Sequence, residues 1–128
     1  MNSITNSLMN DAAWVLTATF ILSIVYEGYR ATVHAGDSQY DSTRTFVEQL
    51  PFYAVATAVI AVLFVGHDWA AWVGLAFCCV VILISIFYYN PRIMLARKPG
   101  LVDWIEDLVF TGLLFAAAAQ LVYEVAGR

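Results

Sequence analysis

Charge is what this sequence has least of. Asp, Glu, Lys and Arg together make up 12% of its 128 residues, against about a quarter in soluble domains. A chain so poor in charge cannot clothe a water-facing surface of ordinary composition. Runs of Lys or Arg are absent as well, and ten acidic against six basic residues leave a net charge of −4. That excludes the electrostatic footprint of a nucleic-acid binder. The only cysteines, Cys78 and Cys79, are adjacent in an apolar run, without the spacing of a zinc or redox motif, and read as small packing residues. The two histidines belong to no Glu-x-x-His motif of the kind that builds di-metal sites in bundles, so no metal is expected. No internal repeat and no Pro- or Gly-rich linker divides the chain. One domain over 1–128 is the expectation. The start, M-N-S-I-T-N-S-L-M-N-D, lacks the basic region of a signal peptide, so the first apolar segment is expected to stay as a helix despite V-H-A at 33–35.

What the sequence has in abundance is apolar surface: 62% of residues are hydrophobic and the mean hydropathy is +0.75. Four apolar segments, about 12–29, 46–65, 69–89 and 101–123, approach the roughly 20 residues that cross hydrocarbon. The third carries no charge and has aromatic residues at both ends, as an interfacial belt would. These segments predict an all-α fold, an integral, multi-pass membrane four-helix bundle with membrane lipid as its surroundings. Gly66, His67 and Asp68 leave room only for a tight turn, which makes helices two and three an antiparallel hairpin. Arg30, Arg44, Arg92, Arg97 and Lys98 fall in or beside the first and third connections, so the positive-inside rule places those connections in the cytoplasm and both termini on the non-cytoplasmic side.

Ionisable residues in spans are costly and tend to mark function or a buried partner. Glu27, Arg30, Arg44, Glu48, Asp103, Glu106 and Asp107 all gather at the expected cytoplasmic end. They read either as a headgroup-level belt or as a polar site between helices. Arg44 and Glu48 are four apart, as are Asp103 and Asp107, so each pair shares a helix face. Ser23 and Ser85 lie in apolar runs without a His base and read as hydroxyls bonded to their own helix.

At the start of helix two, Thr45, Glu48 and Pro51 repeat the spacing of an Asn, Glu and Pro pattern, with Thr45 in place of the Asn, and Phe52 and Tyr53 follow. With the four-span layout, the long first loop and the short G-H-D turn, this resembles the MAPEG superfamily of membrane-associated proteins in eicosanoid and glutathione metabolism. The resemblance implies a homotrimer with a cytoplasm-facing site between subunits, and glutathione or another low-molecular-weight thiol joined to a lipophilic acceptor. Glu48 would bind the thiol peptide's ammonium. Arg44 or Arg30 would stabilise the thiolate, Tyr88 or Tyr89 would donate a hydrogen bond, and Tyr53 would line the ligand site. The competing expectation is a non-catalytic subunit or scaffold of a larger membrane complex, since no complete catalytic constellation is present.

Overall fold

The computed structural model describes residues 3–127, with side chains from Leu8 onward. Its elements are α1 (Ser3–Thr32), α2 (Thr43–Val65), α3 (Asp68–Ile84), which runs on as a π-helix (Ser85–Met94), and α4 (Leu101–Ala126). The stretches long and apolar enough to cross a membrane contain 25, 23, 27 and 26 residues in chain order. At 1.5 Å per residue they reach about 35–40 Å, more than the roughly 30 Å of a hydrocarbon core.

Local chemistry fixes the helix ends. Ser42 is the N-cap of α2, its hydroxyl accepting from the Thr45 N–H at 3.1 Å. Gly66 ends the helix at φ 85°, and its N–H returns to the Val62 carbonyl, a left-handed cap that glycine adopts without a Cβ penalty. Asp68 then opens α3 with a carboxylate at the positive end of the helix dipole. Asp103 does the same in α4 and accepts from the Gly100 N–H at 2.8 Å.

The helices exceed the expected spans. α1 covers 3–32 instead of 12–29, and α2 begins at Thr43 instead of 46. α4 ends at Ala126 instead of 123. The largest difference is beyond Tyr89, where a loop from Asn90 is expected and a helix continues to Met94. Pro91 lies inside that segment. A proline ring clashes with the carbonyl four residues back, and the wider π-turn is a known way for a helix to absorb such an insult. Hydropathy stops at the first polar residues, whereas backbone hydrogen bonding does not.

α1 packs along both α2 and α4, α4 also packs on α3, and α2 meets α3 over a shorter length. Much of the seam is small: Ala12, Ala13, Ala56, Ala70, Ala71 and Ala117 are buried beside Leu16, Leu63, Leu114 and Leu121. Small residues let helix backbones approach, which raises dispersion contact where no solvent term drives association. Gly74 is the tightest point, since a Cβ there would stand 3.0 Å from the side chains of Leu63 and Leu121. Cys78 is buried in this core and Cys79 faces outward. Ile21, Val55, Val80, Leu83, Phe87, Leu108 and Phe115 are among the large apolar side chains pointing out. Water would penalise that surface heavily.

Candidate functional site

Above the small-residue core sits an aromatic layer centred on Phe20 of α1. Its ring lies 5.5 Å from that of Phe52, and 5.7 Å from those of Phe77 and Phe110. Tyr53 joins the layer, and its hydroxyl shares a 2.7 Å hydrogen bond with Ser23. Ser23 thus ties α1 to α2, although its setting suggests a bond to its own helix. From here α2 and the far end of α3 stand apart and enclose a cavity of about 540 Å³. α1 and α4 supply its back wall through Glu27, Glu106, Asp107 and Phe110. Exposed lining residues are Glu48 and Phe52 of α2, Ile84 and Tyr88 of α3, and Gln39 of the α1–α2 connection, so the cavity opens between those two helices and toward that connection.

Behind the back wall is a buried ionic layer. Arg97, from the α3–α4 connection, holds Glu27 of α1 with two nitrogens at 2.8 and 3.1 Å. Its Nε lies 3.0 Å from Asp41 Oδ1, within ion-pair range but off the line of a hydrogen bond. Asp41, from the α1–α2 connection, in turn accepts from Arg30 at 3.1 and 2.6 Å and from Ser38 at 2.9 Å. Arg30 also lies 3.5 Å from Asp103, which accepts from the Tyr26 hydroxyl. Burial alone would lower the pKa of Arg97. The hydrogen bond to Glu27, together with the Tyr89 hydroxyl and the charges of Glu27 and Asp41, outweighs it and holds the guanidinium above its ordinary value. Two loops and two helices, α1 and α4, are therefore fastened by two cations and three carboxylates.

The residues singled out from sequence divide around this wall. Glu48, Tyr53, Tyr88 and Tyr89 line this cavity together. Tyr89 has its hydroxyl committed, donating toward Glu27 at 3.2 Å and accepting from Arg97 at 2.8 Å. Tyr88 is half exposed, with the Arg92 guanidinium 5.7 Å from its ring centre. Arg30 lies in the ionic layer and does not line the cavity. Arg44 stands outside too, with a side chain 89% exposed, and pairs at 3.1 Å with Glu48, itself 63% exposed. Asp103 faces the ionic layer, whereas Asp107 lines the cavity and accepts from the Asn90 amide.

Sequence reading missed Asp41 as a site residue and treated Arg97 only as a topology marker. Both lie in connections, where charge ordinarily means solvation. Glu106 was one acid in a cluster, and the structure turns it into the cavity between Asp107 and Phe110. Its place on the same α4 face as Phe110, four residues on, was the available signal. His34 is held away from the cavity by Tyr29 and Asp37, and His67 stacks on Trp69 at the α2–α3 turn. Among the described residues no three His, Cys, Asp or Glu side chains group as a metal site.

Compared with protein-family models, curated proteins and solved structures, the chain matches none.

Proposed function

We propose that this is a multi-pass membrane protein that binds a lipophilic small molecule, without transforming it, in the cavity between α2 and α3. The observation that carries this reading is the 540 Å³ cavity itself, a size within the roughly 300–1,000 Å³ of small-molecule sites. Its mouth opens sideways between two helices, the direction from which a molecule dissolved in lipid would arrive. Apolar side chains facing outward on all four helices support insertion. The basic residues of the first and third connections support a cytoplasmic position for those connections, with both termini opposite.

The MAPEG resemblance supports the same lipophilic ligand and lateral entry, and its trimer would be read from the particle mass of purified protein. Thiol conjugation draws less support from the geometry. A thiolate and the two carboxylates of glutathione call for cations, and no Lys, Arg or His lines the cavity among the described residues.

The test is photolabelling in lipid nanodiscs with a diazirine-bearing C12 alcohol, followed by peptide mapping. Labelling concentrated in 45–53 and 81–93 is the expected result. Uniform labelling of outward-facing positions would reject the cavity as a site, and a titration showing glutathione binding would restore the transferase reading.

A further inference from the structure

The cavity has four carboxylate-bearing residues in its lining, Glu27, Glu48, Glu106 and Asp107, and three of them are already engaged. Glu27 is held by Arg97 through two bonds. Glu48 pairs with Arg44 at the rim, and Asp107 accepts from the Asn90 amide at 3.3 Å. Glu106 has neither a hydrogen bond nor an ion pair among the described residues, though it is half-buried and lines the back wall. Partial withdrawal from water without a partner already disfavours a carboxylate there. The wall around it is aromatic, with Phe52, Tyr53, Tyr88, Tyr89 and Phe110 all lining the same space. Ring faces attract cations, more so where water is excluded.

Resting on the lipophilic-ligand reading above, we propose that the ligand is a lipophilic ammonium ion whose charge is held by Glu106 and whose apolar body lies among these rings. One unengaged carboxylate in an aromatic enclosure matches one positive charge on an apolar body. A neutral lipid would leave the Glu106 carboxyl without an ionic partner, and an anion would meet four carboxyl-bearing residues and, among the described residues, no cationic residue in the lining.

Three diazirine probes with the same C12 tail, ending in a primary amine, an alcohol or a carboxylic acid, separate these cases in nanodiscs at pH 7. The amine is expected to label the cavity peptides at about tenfold lower concentration than the alcohol, the scale of one charge-assisted hydrogen bond, with the acid weakest. Glu106→Gln should bring the amine to the level of the alcohol in the same variant, and the cavity labelling that remains there reports that the cavity is intact. Glu106→Asp should keep the preference for the amine. Equal labelling by amine and alcohol in the unmodified protein, or an amine preference that survives Glu106→Gln, would overturn the ammonium assignment while leaving the cavity as a lipid-accessible site. Loss of alcohol labelling in both Glu106 variants would show Glu106 to be structural and overturn it too. Failure of all three probes to label the cavity would instead remove the binding reading on which it rests.

Discussion

Arg97 and Glu27 sit where a mistake in pairing is most expensive. Each removes its charge from water, and each is satisfied mainly by the other. Deleting one partner strands the other, which typically costs about 3–5 kcal/mol in a buried pair. Glu27→Gln and Arg97→Ala should therefore lower thermal stability by several kcal/mol, measured by circular dichroism in detergent. The Arg44–Glu48 pair gives the contrast. Both side chains are mostly exposed, so Arg44→Ala or Glu48→Gln should change stability by at most about 0.5 kcal/mol. A large effect of Glu48→Gln would show a partner that this chain alone does not provide. Residue identities made only half of this legible. The spacing of four brought Arg44 and Glu48 together on one helix, because helical geometry is local. Nothing local joins Arg97 to Glu27 or Arg30 to Asp41, whose partners are 70 and 11 positions away. That pairing follows from how two loops fold back over the ends of α1 and α4.

Among the elements, the α2–α3 hairpin was the most readable, because three residues leave little freedom and Gly66 supplies the left-handed cap. Gly66→Ala should cost about 1 kcal/mol through the strained φ. At Gly74 the constraint is steric, and Gly74→Leu should cost about 1–3 kcal/mol by overpacking against Leu63 and Leu121. Thermal unfolding of both variants checks these values, and an unchanged Gly74→Leu would mean that α3 can shift away from α2 and α4 freely. The π-helical end of α3 was not readable. Apolar residues give way at Asn90, and Pro91 ordinarily marks a break. The extension matters to the site because it carries Tyr88, Tyr89 and Ile93 to one side of the cavity.

For the whole molecule, an apolar exterior, a small-residue seam and a polar end combine into one design. The tight seam holds the bundle together where α2 and α3 are close, and their separation beyond Phe52 and Phe77 leaves the cavity. The orientation has its own test in a variant freed of Cys78 and Cys79. Cysteines placed at Ala35 and at His67 should react oppositely with a membrane-impermeant maleimide in intact cells, with only the His67 position labelled from outside. Equal reaction would reject the topology. The central claim is that a lipophilic molecule enters between α2 and α3. Its most direct test is cavity labelling by the C12 alcohol probe in Ile84→Trp, which places an indole at the mouth, beside Leu83→Trp, which places one on the outward face away from it. Labelling should fall about tenfold in Ile84→Trp, the equivalent of roughly 1.4 kcal/mol, and stay unchanged in Leu83→Trp; equal labelling of the two folded variants would contradict lateral entry into this cavity.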